Sequence, residues 1–397
     1  MKKHESAQEL RYPLAMDNWD EQERKAIDQV VKSNRFTMGE QVKLFESEVA
    51  AKFGSRFAVM VNSGSSANLL MLTAAKILMG SKFGKKPNII VPAVSWSTTF
   101  TPAYFLGYQL KFVDIDSQHF GLNLENVENA LDENTVAILA VNLLGSAADL
   151  TRLRDLAKQK QILLLEDNCE SLGAELQGQF TGTFGLMGTH SSFFSHHINT
   201  MEGGWVTTDN EEAYQILLSL RAHGWSRELP QDSRFRSTDK QDWFTSQFEF
   251  VLPGMNFRPL ELEAAIGRVQ LTKVDQMIKQ RRRNAQVFVE RIGSIPLITI
   301  QKPLGNSSWF AFAMIFESNQ VRNQTAEKLR AKGVECRPIV TGNFTRQPVL
   351  GFLDYQVSGD LEVADRLHDC GMYIGNHPLP LEDEITKTGI IIQEELK

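Results

Sequence analysis

Lysine is missing from a long stretch of this chain. None occurs between Lys160 and Lys240, although 42 of the 397 residues are lysine or arginine. Chemistry that needs a primary amine is therefore excluded from that stretch. Cysteine is scarce as well, and Cys169, Cys336 and Cys370 are odd in number and far apart. They fit neither a disulfide framework nor a metal site with short Cys spacing. An iron–sulfur cluster generally needs four thiolates, so none is expected. No window approaches 18 uninterrupted apolar residues, and residues 1–19 hold no apolar signal-like run. The expectations are therefore no membrane span, no cleaved leader and a soluble protein of a reducing cytoplasm. The formal net charge of −6 argues against nucleic acid or anionic membrane as the main partner. The basic cluster from Lys279 to Arg283 reads as a solvated helix face.

What is present is an ordinary globular mixture, 42% apolar and 23% charged, able to bury a large core. The length exceeds what one core of roughly 250–300 residues fills, which suggests a large domain with a smaller companion. Short β-rich runs alternate with helical patterns. Strands are expected at 57–61, 88–93, 111–116, 136–144, 162–167, 191–194 and 204–209, and an amphipathic helix at 211–224. Continuous β-rich runs spaced by helices argue for an α/β fold with a mostly parallel sheet covered on both faces. Residues 225–252 read as a polar irregular segment and 258–292 as a long helix. Strand-like and helical runs at 309–317, 323–333 and 334–340 indicate a smaller α+β unit. The expected domains are 1–260 and 261–397, with the N-terminal segment free to pack elsewhere.

Four features bear on chemistry. Ser63-Gly64-Ser65-Ser66 lies between a strand and a helix, where small residues let backbone N–H groups approach an anion at the helix N-terminus. A Gly-Ser turn alone is more often simply a turn. "LLLEDNCE" (163–170) ends an apolar strand with three carboxylates, out of place unless they meet a ligand at the carboxyl edge of a sheet. Asp167 can hold a pyridinium N–H and Glu170 a neighbouring hydroxyl, or both can cap a following helix. Trp96 follows a strand and can stack on an aromatic ring, or belong to the core. Ser191 can add a hydroxyl to a phosphate.

These motifs, with "NRFTMGE", "VPAVSWSTT", "MEGGWVTTD", "RAHGWSR" and "GMNFRPLE", resemble the fold type I sugar aminotransferases and dehydratases. That family depends on pyridoxal 5'-phosphate (PLP) and acts on nucleotide-linked 4-keto sugars. The resemblance runs from about residue 11 to the end of the chain. It implies a large domain built on a mostly parallel seven-stranded sheet plus a smaller α+β C-terminal domain. It implies that Gly64, Ser65, Trp96, Asp167, Glu170 and Ser191 bind the cofactor. Asn256 would reach the phosphate of a partner subunit, so a homodimer with shared active sites is expected.

One position departs from the family's aminotransferases. Their cofactor-binding lysine falls six residues before a Glu-Gly-Gly, where this chain has His196 before Glu202-Gly203-Gly204. Imidazole has no primary amine, but it moves protons near neutral pH, with an unperturbed pKa of about 6.5. The departure, with "FFSHHINTMEGG", "VECRPIVTGNF" and "NH" at 376–377, matches the family's 3-dehydratase branch. That branch implies His196 as catalytic acid/base and PLP or pyridoxamine phosphate bound without a covalent link. Glutamate would be the amino donor and GDP-4-keto-6-deoxymannose the expected substrate, on the route to colitose in O-antigen lipopolysaccharide. His223, Arg227, Arg337 and His377 are expected on the substrate side, although surface pairing explains isolated arginines such as Arg221 and Arg346 equally well. His197 is open between a chemical and a structural part. The rival readings are a nucleotide-sugar aminotransferase and a non-catalytic sensor of PLP or sugar.

Overall fold

The computed structural model describes residues 10–236 and 242–396. Helices α1 (Glu21–Ser33) and α2 (Glu40–Phe53) lead into β1 (Phe57–Val61) and α3 (Gly64–Met79). Strands and helices then alternate: β2 (Asn88–Pro92), α4 (Ser97–Leu106), β3 (Gln109–Val113), α5 (Leu124–Ala130), β4 (Thr135–Val141), α6 (Leu150–Lys160) and β5 (Leu163–Asp167). A small hairpin, β6 (Glu175–Leu176) and β7 (Gln179–Phe180), precedes β8 (Met187–Ser191), β9 (Gly204–Thr208) and α7 (Glu211–Arg221). The long α8 (Glu261–Arg291) leads to β10 (Ile298–Ile300), β11 (Ala311–Phe316), α9 (Asn319–Ala331) and β12 (Cys336–Arg337). The chain continues with β13 (Tyr355–Val357), α10 (Glu362–Cys370), β14 (Gly371–Gly375) and α11 (Glu382–Glu395).

The large sheet runs β1-β9-β8-β5-β4-β2-β3-β13. Only β9 opposes the common direction, pairing antiparallel with both β1 and β8. Every residue of β2, β8 and β9 is buried, as a sheet covered on both faces requires. The second sheet, β10-β11-β14-β12, is antiparallel throughout. Phe288, Phe312, Phe316 and Ile374 build its core. Tyr12 joins that core, and its hydroxyl donates to the Gly375 carbonyl at 2.6 Å. The N-terminal segment is thereby fastened to the C-terminal unit. Among the described residues, no helix is long and apolar enough to cross a membrane.

Five expectations need correction. The large sheet has eight strands, because Tyr355–Val357 returns from the C-terminal part to pair with β3. Phe344 and Leu350 also enter the large core, so a division at residue 260 does not separate the two cores. The strand expected at 191–194 lies at Met187–Ser191, where a Gly-Thr-His sequence is buried on both sides, while Phe193 and Phe194 are exposed. Arg281 is buried rather than solvated, because α8 turns that face of the 279–283 cluster inward. Of the segment expected to be strand at 334–340, only Cys336–Arg337 pairs, since Pro338 has no N–H to continue the ladder. The chain continues from there into a loop.

Candidate active site

Two helix starts and a strand end converge at the carboxyl edge of the large sheet. Ser63 caps α3 by accepting the Ser66 amide at 3.1 Å. The Gly64 and Ser65 amides, in the first turn, have no intrahelical acceptor. Gly64 presses on the end of β8, where a Cβ would stand 2.7 Å from the Ser191 Cβ. Only glycine permits that approach. Ser65 Oγ bonds Thr98 Oγ1 at 2.8 Å, which links the starts of α3 and α4. The two amides and the Ser191 hydroxyl form a cradle suited to a phosphate at the positive helix end.

Asp167 ends β5 and is 5% exposed. Its Oδ2 accepts from Asn68 Nδ2 at 2.9 Å and from Thr99 Oγ1 at 2.7 Å. Thr189 Oγ1 donates to Asn68 Oδ1 at 2.6 Å, so the amide presents its nitrogen to the carboxylate. A carboxylate held this way keeps a lone pair for a ligand N–H. Glu166, one residue earlier, points to the opposite face by strand alternation. The Gly182, Phe184 and Gly185 amides close its carboxylate at 2.6–2.8 Å. It braces a loop, and no helix follows for these acids to cap. Glu170 Oε2 accepts from the Leu144 amide at 3.1 Å. Burial, with Asp167 nearby, pushes its carboxyl up to about 7, so near neutral pH it exists in both forms and can donate to or accept from a hydroxyl.

His196 lies in the loop between β8 and β9, its amide donating to the Phe193 carbonyl at 2.9 Å. Its ring rests edge-on between Phe193 and Phe310, 6.0 and 5.1 Å between centroids. Burial, with Arg281 adding to it, lowers the imidazole to about 3, so the ring is neutral at physiological pH. Its Nδ1 is buried without a partner. A neutral imidazole is a proton acceptor. His197 is also buried, and its Nε2 donates to the Ser308 carbonyl at 3.2 Å. That bond makes it a brace of the backbone.

The other expected residues fall into two groups. Trp96 sits at the N-terminus of α4 and is 58% exposed, outside the core. His377 packs edge-on against Tyr12 at 6.3 Å, and burial with Arg281 lowers it to about 4. Arg337 pairs with Glu335 at 3.0 Å and stands in register with Tyr373, which burial and Glu170 push up to about 12. His377 thus shares the Arg281 charge with His196, and Tyr373 links the register partner Arg337 to Glu170. His223, Arg227 and Asn256 lie together elsewhere. The His223 amide donates to the Met255 carbonyl at 2.8 Å, and Arg227 sits 5.4 Å over the Trp225 ring. Asn256 Oδ1 accepts from Arg258 Nε at 3.0 Å. Among the described residues, no hydrogen bond joins these three side chains to Asp167, Ser191 or His196. Arg221 is bound to Glu46 and Glu228, and Arg346 to Asp365 and Asp369.

Sequence reasoning missed Asn68, Thr99, Phe310 and Arg281. Asn68 gave a signal, a lone amide inside the apolar run "ANLLML" (67–72). Arg281 gave none, since its neighbours are basic. Its guanidinium is buried, and among the described residues its single hydrogen bond goes from Nη1 to the Phe310 carbonyl at 3.1 Å. A hydrogen bond to a charged group returns about 1.5–3 kcal/mol. Desolvating an ion costs several kcal/mol. The arrangement does not favour stability.

The model of the DegT/DnrJ/EryC1/StrS aminotransferase family matches residues 17–390. The chain belongs to this family. GDP-4-keto-6-deoxy-D-mannose 3-dehydratase of Yersinia pseudotuberculosis is 48% identical over 379 residues, covering 95% of this chain and 96% of that relative. A crystal structure of GDP-4-keto-6-deoxymannose-3-dehydratase with a trapped PLP-glutamate geminal diamine matches with a TM-score of 0.92 at 47% identity, over 96% of this chain and 100% of that one. A mutant of that enzyme with bound GDP-perosamine matches with a TM-score of 0.93 at 46% identity, over 96% of this chain and 100% of that one. The architecture of this family member is fold type I.

Proposed function

We propose that this protein is a PLP- and glutamate-dependent 3-dehydratase of GDP-4-keto-6-deoxymannose, giving a 3,6-dideoxy-4-keto sugar. The observation that carries the reading is His196, a buried neutral imidazole where the family's aminotransferases place an amine. The 48% identity to a dehydratase over most of both chains supports it. The residues present fit the cofactor. Gly64, Ser65 and Ser191 would hold its phosphate, and Asp167, oriented by Asn68 and Thr99, would pair with its ring N–H. Glu170 would meet the ring hydroxyl and Trp96 would cover the ring face.

When bound in its amine form, the cofactor supplies the electron sink that lets the C3–O bond break beside C4. The chain's part is to hold, orient and move protons. His196 takes a proton at Nε2 as a neutral base and returns it to the departing hydroxyl, a role worth roughly 10²–10⁴ in rate. Phe193 and Phe310 limit water around that ring. Overall, glutamate is oxidised to 2-oxoglutarate, the sugar loses its C3 oxygen, and the nitrogen leaves as ammonia. An aminotransferase is disfavoured because no lysine occurs from residue 161 to 239. A sensor is disfavoured because the acid/base residue is kept beside the cofactor-holding groups. Mass spectrometry of products from a panel of GDP-, CDP- and UDP-linked 4-keto sugars, with glutamate, is the test. The GDP-sugar should lose one oxygen atom. Conversion to a product carrying nitrogen, or no turnover of any member, would overturn the reading.

The active unit in this reading is a homodimer. Its support is the exposed apolar surface on the segment that carries Asn256. Trp243, Phe244, Phe248, Phe250 and Met255 are all more than half exposed. Patches of this kind mark interaction surfaces. Asn256 of one subunit would then complete the phosphate cradle of the other. Mixing an Asn256→Ala chain with a His196→Asn chain should restore activity, since hybrid dimers regain one intact site. No recovery despite proven subunit exchange would contradict sharing. We infer a cytoplasmic enzyme that supplies dideoxysugar for lipopolysaccharide, a reading supported by three free cysteines and water-soluble substrates. Fractionation that recovered it with membranes would contradict that placement.

A further inference from the structure

Residues 307–310 form a strap whose four consecutive carbonyls are each taken by a different side chain. Arg282 Nε donates to Ser307 at 2.9 Å and His197 Nε2 to Ser308 at 3.2 Å. Asn376 Nδ2 donates to Trp309 at 2.7 Å and Arg281 Nη1 to Phe310 at 3.1 Å. The strap is also bonded to the turn at Leu144-Gly145, with Ser308 N on Gly145 O at 3.0 Å and Phe310 N on Leu144 O at 3.2 Å. That turn accepts no side chain at Gly145 (φ +91), where a Cβ would stand 2.4 Å from the Trp309 nitrogen. Trp309 itself is left-handed, with φ of 49°. A segment held at so many points against its backbone preference is positioned for something it carries. What it carries is Phe310, the wall against which His196 rests.

We propose that Arg281 is a positioning residue for His196: its guanidinium fixes the Phe310 wall and sets an uncompensated positive charge beside the imidazole. The inference rests on His196 being the proton carrier. Among the described residues, no carboxylate lies within ion-pair distance of Arg281, and its Nε is buried without a partner. Burial lowers His196, His197 and His377, and the Arg281 charge adds to it at all three. Among the described residues, the charge that acts on His196 is Arg281 from α8, and His197 stands next to it on its own loop. The first is cationic and the second neutral. A proton taken up by His196 therefore meets an environment that expels it, which suits a group that must pass its proton on to a leaving hydroxyl. The same pressure keeps the resting ring unprotonated and available.

The test separates charge from shape. Arg281→Gln keeps a donor for the Phe310 carbonyl and removes the charge, whereas Arg281→Lys keeps the charge. The probe is histidine-selective nitrogen-15 NMR of the PLP-loaded protein, with the His196 signal assigned by His196→Asn. Titrated from pH 3 to 8, His196 should reach its midpoint only at the acid end of that range in the parent protein and in Arg281→Lys. In Arg281→Gln its titration midpoint should rise by about one pH unit or more. The acid limb of kcat should move to higher pH, while KM for the sugar changes less than kcat. If both variants lower the melting temperature equally and leave the His196 titration where it was, Arg281 only supports the fold and the proposal fails. Should Arg281→Gln not fold, an acid limb displaced in Arg281→Lys despite the retained charge would refute it equally. The NMR readout needs no turnover, so an error in the assigned reaction would leave the titration result standing.

Discussion

His196→Asn should lower turnover by about 10²–10⁴ while leaving cofactor affinity within a few-fold of the parent. Asparagine keeps a polar group of similar reach but neither accepts nor returns a proton at neutral pH. The cofactor-holding groups lie elsewhere, at Gly64, Ser65, Asp167 and Ser191, and none of them bonds to His196. The packing loss is small, because the ring makes only edge contacts with Phe193 and Phe310. Absorbance titration with PLP, beside a stopped assay of 2-oxoglutarate release, reads both quantities. A variant that binds PLP normally and turns over within about three-fold of the parent would remove His196 from the proton transfer. A variant that loses PLP as well would mean the imidazole holds the cofactor.

Asp167→Asn should weaken PLP binding by about 10²- to 4 × 10³-fold, with activity falling in step. Breaking one side of a buried ion pair costs about 3–5 kcal/mol, and each 1.4 kcal/mol is about tenfold in affinity. Asparagine has nearly the same volume, and with its oxygen in the Oδ2 position it still accepts from Thr99 and Asn68, while its Nδ2 faces the Cys169 amide and that hydrogen bond is lost. The protein without cofactor should therefore melt close to the parent, the removed buried charge offsetting the lost Cys169 bond. That combination of unchanged melting without cofactor and lost affinity separates a ligand-binding carboxylate from a structural one. Affinity close to that of the parent would place the pyridine nitrogen elsewhere.

Much of this site is legible because its parts sit where chain direction changes. Asp167 and Glu170 end an apolar strand, Gly64 opens a helix, and His196 is anchored by the Glu-Gly-Gly that follows it. Each is out of keeping with its immediate neighbours, and local sequence shows that. The supporting residues are in keeping with theirs. Thr99 looks like an ordinary helix residue until α4 brings it 2.7 Å from Asp167. Arg281 looks solvated among Lys279, Arg282 and Arg283 until α8 packs its inward face under the strap. Phe310 looks like one more core aromatic. Contacts across such sequence separations belong to tertiary packing, which local patterns do not encode. The eighth strand is hidden for the same reason, since "YQV" (355–357) is short, fully exposed in burial pattern and recognisable only once β3 offers it an edge. The misplaced strand at 187–191 has another cause. Gly188 weakens the strand signal and only Thr189 in the Gly188-Thr189-His190 run is a strong strand former, while the neighbouring "SSFF" is apolar enough to draw the expectation forward.

The central claim is that glutamate nitrogen passes through the site without entering the sugar. In this account His196 offers no amine to release an aminated product, so elimination of the C3 hydroxyl is the exit. Turnover of GDP-4-keto-6-deoxymannose with nitrogen-15 glutamate tests this in one measurement. The account predicts label in ammonia, equal in amount to 2-oxoglutarate and to a sugar that has lost its C3 oxygen. Label retained in an amino sugar that keeps its C3 oxygen would contradict it and make the protein an aminotransferase.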